Sequence, residues 1–308
     1  MFSLDYAGKK KKTHENMSPL IPATIPLLCV RTIINIIVLS TILYFSFTDK
    51  TIVSYLQNPK EIYILEAGIL KNNLITKDGS DISISYDYTS EALLVLKEKY
   101  KLEEIAGSGS NLDKALNVMN EFAPRLKHKS NYDNSITIEA LPLLEYSLDN
   151  KNHGINCKNK AQILLEMLLS LGIPTRKVWI MPYSPYDIDC HVVNEIWDDK
   201  LAKWVMLDIT NNEYWIDDNK TPLSCIEIRE KGANMEFCTP IHPFESMKDL
   251  EKLQSSYYSD FLYIMKNLVY LEYRDKYGVG EQGNPLLFIP STFSTNEMVI
   301  SRKALEHK

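Results

Sequence analysis

Apolar positions along the chain change their period several times, and each change marks an element. Residues 32–47 run without a charge, and 25–30 extend that run across Arg31. Residues 51–88 are mixed and polar, with short β-like runs at 62–65 and 82–84 whose pairing the pattern leaves open. Helical spacing follows at 90–102 and 112–128, two connected helices separated by Gly107-Ser108-Gly109-Ser110, which supplies a break and capping residues. From Cys157 to Leu171, Ala161, Leu164, Leu165, Leu168 and Leu171 recur at helical spacing, and Ile163, Met167 and Leu169 widen the stripe over most of the circumference. A helix of that kind belongs in the centre of a core. Gly172 and Pro174 end it, and 175–181 reads as a strand.

Residues 190–197 and 204–209 alternate with period two, which predicts a hairpin. One face carries Val192, Ile196, Val205, Leu207 and Ile209; the other carries His191, Glu195, Met206 and Asp208. With the turn centred between Asp199 and Lys200, position 191 lies directly across from 208, where a histidine and a carboxylate can hydrogen-bond. Cys190 would then face the apolar side and join the core. Residues 247–277 read as one long tyrosine-rich helix packing its aromatic side on the core, and 284–300 as an irregular or β-like tail. No internal repeat has a period between about 20 and 50 residues.

Composition narrows the classes. With 308 residues, 45% hydrophobic and 24% charged, the chain can bury a sizeable core, which excludes a disordered or fibrous protein. The net charge is −6, and residues 51–308 hold 28 basic against 37 acidic residues. Such a body repels phosphate, so no nucleic-acid partner is expected. The apolar run has a different meaning. Residues 32–47 number 16, slightly short of the ~20 that span a hydrocarbon core, but 25–30 lengthen the segment. No small-residue cleavage site follows it, and Cys29 precedes it, which disfavours a cleaved signal peptide and a lipid anchor. A soluble amphipathic or buried helix is the alternative, supported by Arg31 and Asn35. The preferred reading is an uncleaved transmembrane anchor over 25–47, with Lys9–Lys12 in a cytoplasmic tail (1–24) and residues 51–308 outside, in a single-pass protein of the cell membrane.

Five cysteines are too few to staple so long a chain, so one that matters should matter chemically. Cys157 sits where the polar loop 150–156 enters the central helix, and amides at a helix start favour the thiolate, the nucleophilic form. His191 can serve as its proton-transfer partner and Asp208 can orient that ring. Gly154-Ile155-Asn156-Cys157, Ala161 and the run 168–178 (LLSLGIPTRKV), followed by 191–197 (HVVNEIW) and 204–210 (WVMLDIT), resemble the cysteine, histidine and aspartate motifs of the transglutaminase-like superfamily. Val193 stands where relatives often have an aromatic residue, and Ile209 where they often have proline.

The resemblance implies an α+β, papain-like core, with a catalytic Cys157 at the start of a central helix packed on an antiparallel sheet, and the triad Cys157, His191 and Asp208. The expected organisation is an N-terminal extension (51–110), the catalytic core (111–245) and a C-terminal helix and tail (246–308), behind the one transmembrane helix. The expected activity is that of a membrane-anchored thiol enzyme acting on amide bonds of a protein or peptide substrate through a thioester acyl-enzyme. Peptide or isopeptide hydrolysis is the first reading and acyl transfer the second. The oxyanion would be held by the Cys157 N–H and by one of Asn152, His153 or Asn156. A non-catalytic binding or scaffold module at the cell envelope is the rival. Arylamine N-acetyltransferases share the order Cys, His, Asp, but their Arg-Gly-Gly-x-Cys entry is absent. Gly278-Val279-Gly280-Glu281-Gln282-Gly283 fits G-x-G-x-x-G but follows no strand, so no dinucleotide cofactor is expected. No metal is expected either, because neither H-E-x-x-H nor Cys-x-x-Cys occurs. Cys225 and Cys238 can pair outside the cell only if the fold brings them together.

Overall fold

The computed structural model describes residues 32–41, 58–75, 78–82, 84–184, 186–242, 250–274 and 285–306. The chain divides into two units, 1–57 and 58–308. In the first, residues 32–41 form a helix whose large apolar side chains are exposed. The rest of the expected anchor over 25–47 lies outside the described residues. Ten helical residues extend about 15 Å, half of a ~30 Å hydrocarbon core. Among the described residues no helix is long and apolar enough to cross a membrane.

The second unit is α+β, built on one eight-stranded sheet in the order β5-β4-β3-β2-β1-β6-β7-β8. Its strands are β1 (Thr175–Met181), β2 (His191–Asp198), β3 (Lys203–Asp208), β4 (Glu213–Ile216), β5 (Thr239–Ile241), β6 (Tyr270–Tyr273), β7 (Leu286–Phe288) and β8 (Met298–Val299). All pairs are antiparallel except β7 with β8. The helices that matter for the site are α1 (Pro59–Asn72), α2 (Glu91–Lys99), α3 (Leu102–Ala106), α4 (Asn111–Phe122), α5 (Ala140–Asp149), α6 (Cys157–Ser170), α7 (Cys225–Ala233) and α8 (Leu250–Asn267).

Helix α6 is the central helix, buried at every position from Asn159 to Ser170. Asn156 caps its start, its side chain accepting from the Asn159 N–H at 3.2 Å. Gly172 ends it with φ +74°, a conformation in which a side chain would be strained. One face of the sheet packs Ile196, Val205, Leu207 and Ile209 with Leu164 and Leu168 of α6 and with α4 and α5. The other packs Val178, Ile180, Val193 and Met206 with Phe261, Ile264 and Met265 of α8 and Tyr63 and Leu70 of α1. Both faces are therefore covered, and the polar residues of the hairpin's second face are buried with the apolar ones.

Several expectations change. Residues 62–65 are helical, because Tyr63, Ala67 and Leu70 meet the core once per turn behind the Asn58 cap and Pro59. The long C-terminal helix stops at Asn267, and Tyr270–Tyr273 joins the sheet beside β1. In the tail read as irregular or β-like, Leu286–Phe288 and Met298–Val299 form β7 and β8, so the sheet continues past position 245. The hairpin closes at Asp198↔Lys203 and pairs Glu195 with Met206, two residues out of the expected register. Asp198 accounts for this wider loop: its Oδ1 accepts from Leu201 N–H, while its Oδ2 accepts from Leu112 N–H and ties the hairpin to α4.

Beneath β1 and β2 lies a buried ion pair. Arg176 meets Glu195 at 2.7 Å, with both side chains inaccessible, and stacks 3.9 Å over Trp204. The other Glu195 oxygen accepts from the Cys225 N–H and so fixes the start of α7.

Candidate active site

Three elements end at one cleft. Cys157 opens α6, His191 opens β2, and Asp208 closes β3. The α6 entry is set by residues 127–129, which exchange main-chain hydrogen bonds with Ile155. Gly154 is required there, since a Cβ at that position would come within 2.7 Å of Lys129 Cβ.

His191 Nε2 lies 2.7 Å from Asp208 Oδ2. Asp208 is fully buried, and its Oδ1 accepts from the N–H groups of Thr210 (2.8 Å) and Asn211 (3.3 Å). The Asn211 side-chain amide donates to Oδ2 at 3.0 Å. This carboxylate is thus oriented from three directions. Cys157 lies near enough to the His191 ring to raise its affinity for a proton. With Nε2 taken by Asp208, Nδ1 is the nitrogen left for sulfur.

Burial works against a charged His191, yet the Asp208 carboxylate and Cys157 outweigh it and raise the ring well above its ordinary value. Burial alone would raise the Asp208 carboxyl. The imidazolium and the loop N–H groups instead hold it below the usual carboxylate range.

The family model of the transglutaminase-like superfamily matches residues 99–209, the stretch that contains all three side chains. Residues 99–209 are thus similar to the transglutaminase-like superfamily and lie within the second unit. Solved structures resemble parts of the chain at low identity. One is a candidate cysteine protease from Cytophaga hutchinsonii (18% identity, 41% of this chain and 40% of that one, TM-score 0.31). Another is a candidate protease from Parabacteroides distasonis (14% identity, 39% and 29%, TM-score 0.25). A third is Rad4–Rad23 bound to a 6-4 photoproduct UV lesion (16% identity, 62% and 43%, TM-score 0.23). The chain spans less than half the length of each. No curated protein matches it.

The cleft has a volume of about 490 Å³, and Cys157 and His191 lie in its wall. Of the three candidate oxyanion donors, only Asn156 lines it. Its amide N–H donates to Asn134 Oδ1 at 3.2 Å. His153 is turned away, stacked on Tyr146 at 4.2 Å with its Nδ1 against the Tyr146 carbonyl, and Asn152 is exposed. Cys190 is not a core residue. The strand begins only at His191, so Cys190 escapes the alternation and lines the cleft beside Cys157. Burial and the nearby Cys157 charge push its thiol up. Cys225 and Cys238 are buried free thiols, not a disulfide.

Other residues enter the cleft unannounced by any sequence signal. His128 reaches it through the 127–129 segment, and its ring meets Ser130 Oγ at 2.9 Å. Burial, Lys160 and His191 lower its affinity for a proton. Tyr263 of α8 sets its ring edge against His191, centroids 5.8 Å apart, and donates to Asp189. Glu213 lies opposite Asp208 on β4, 2% exposed. Burial and the charges of Asp208 and Asp260 push it up to about 8, so it is predominantly protonated at neutral pH. Lys160, one turn into α6, is lowered by burial against the pull of Asp208 and Cys157. Among the described residues no group of three or more His, Cys, Asp or Glu side chains is arranged to hold a metal ion.

Proposed function

We propose that this chain is a cysteine-dependent amidohydrolase or acyltransferase in which Cys157 is the nucleophile. The observation that carries the reading is the His191–Asp208 contact at 2.7 Å, with Cys157 and His191 in the wall of one cleft. The Cys157 sulfur adds to an amide or ester carbonyl, and the carbonyl π electrons move to oxygen. Collapse of that intermediate expels the amine or alcohol, which takes the proton held on His191, and leaves a thioester. Water, or an amine, then attacks the thioester as the neutral ring accepts its proton, and the Cys157 thiolate departs. Asp208 orients the ring throughout and compensates its charge. The Cys157 main-chain N–H and the His128 ring are the proposed oxyanion donors; His128 lines the same cleft, and burial and Lys160 lower its affinity for a proton. Peptide or isopeptide hydrolysis is the preferred outcome, and acyl transfer to an amine the second.

The apolar segment 25–47 is proposed to hold this domain at the cell membrane. Its support is the uncharged run 32–47 behind a basic N-terminal tail, together with the exposed apolar helix at 32–41.

Iodoacetamide labelling of the full chain at pH 6 tests the nucleophile. Cys157 should alkylate much faster than Cys190, Cys225 or Cys238, and His191→Ala should slow it. Equal rates at the four thiols would remove the assignment. An unchanged rate in His191→Ala would transfer the activating role to another group.

A further inference from the structure

Among the described residues two arginines are buried, Arg176 and Arg229, and Arg176 alone of the two has a carboxylate at its guanidinium. Arg176 is paired with Glu195. Arg229 of α7, 4% exposed, hydrogen-bonds only to main-chain carbonyls. Its Nη2 donates to the Leu70 and Asn73 oxygens, and its Nε to Val269 O at 3.4 Å. The Leu70 and Asn73 carbonyls terminate α1, so the negative end of that helix accounts for one edge of the guanidinium. Burial lowers the group to about 10, although Glu230 nearby acts in the opposite sense. A buried arginine that lacks a carboxylate partner is unusual.

Nη1 is left over, and no described residue accepts from it. Arg229 lines a second cavity of about 700 Å³, between α1, α7 and β7, which shares no lining residue with the Cys157 cleft. Lys71, an exposed residue in the last turn of α1, lines the same cavity and has no carboxylate partner among the described residues. The cavity's own carboxylates are engaged: Glu230 receives Arg302 through both oxygens, and Asp78 has a partner. Leu74, Ile226 and Phe288 supply an apolar part of the wall, beside the polar Asn234, Ser291 and Arg302. Two cationic groups without a carboxylate partner among the described residues therefore line one cavity beside apolar side chains.

We propose that this cavity binds a small molecule carrying one carboxylate on an apolar body. Arg229 Nη1 and the Lys71 ammonium receive the carboxylate, and Leu74, Ile226 and Phe288 receive the apolar part. Guanidinium suits this task because its planar N–H edge matches a carboxylate.

Calorimetric titration of the full chain with 4-phenylbutyrate, and with 4-phenylbutanol as the uncharged counterpart, tests the site. The acid should bind saturably at one site and about tenfold more tightly than the alcohol. Arg229→Gln should bring acid and alcohol level. Because Arg229 also holds the end of α1, that variant can fail to fold, so the exposed Lys71→Glu carries the test independently and should weaken the acid by about tenfold. No saturable binding, equal affinity for acid and alcohol, or an acid affinity unchanged in Lys71→Glu would each overturn the proposal. Labelling of Cys157 by iodoacetamide should be unaffected by Lys71→Glu, which separates this site from the catalytic reading.

Discussion

Asp208 meets His191 along a diagonal of the β2–β3 ladder. The register pairs Asn194 with Leu207, which sets Asp208 beside Val193 and one pleat away from His191. The two side chains still share a face, because a two-residue displacement preserves side-chain parity where a one-residue slip reverses it. The ring turns along the strand to close the 2.7 Å contact, and Thr210 and Asn211 hold the carboxylate in place from beyond the strand end.

That arrangement predicts the effect of Asp208→Asn. The amide preserves volume but removes the charge and offers an N–H where the ring needs an acceptor. Turnover on a confirmed substrate should fall by about 10²–10⁴-fold while the circular dichroism spectrum is retained. Full activity in this variant would show that Asp208 does not orient His191.

Glu213 links the cleft to stability. Its carboxyl is raised from 4.5 to about 8, so the folded state binds this proton more tightly than the unfolded state. Its favourable contribution is fully present below about pH 4.5 and is lost as pH rises through about 8. The loss within that window approaches about 1.4 kcal/mol for each pH unit. Glu213→Gln keeps the neutral form at every pH. Urea unfolding between pH 5 and pH 9 should therefore show a flatter profile in the variant and greater stability than the parent at the alkaline end. Parallel profiles would contradict the buried protonated acid.

The Arg176–Glu195 pair offers a test of the hidden face. Arg176→Met leaves a buried, uncompensated carboxylate that also holds the start of α7, and should cost about 3–5 kcal/mol in urea unfolding. Adding Glu195→Gln should recover part of that loss, because the neutral amide no longer carries the uncompensated charge. A double variant no more stable than Arg176→Met would mean that the pair acts through packing alone.

The proposed anchor predicts a sided protein. Protease added to intact cells should digest residues 51–308 and spare a tag fused ahead of Met1. A full-length protein recovered in the soluble fraction after detergent-free lysis would refute the anchor and leave the thiol chemistry untouched.

Local information in the sequence determined α6, the strand after it, the hairpin, and the common face of His191 and Asp208. Helical and strand periods, the Gly172 stop and a shared side-chain parity are properties of short segments, readable without knowing what packs on them. Tertiary structure decided everything that depends on a neighbour distant in sequence. The covering of the second face by α1 and α8 turned an apparent polar surface into buried Glu195, Asp208 and Glu213. The side-chain tie from Asp198 to Leu112 accompanied a register that loop counting missed. Tyr270–Tyr273 became a strand because β1 presented an unpaired edge, which overrode a continuous helical pattern. His128 reached the cleft only because residues 127–129 pair with Ile155. Cys190 entered it because its strand begins one residue later. Contacts of this kind carry no period, so no window of sequence could have announced them.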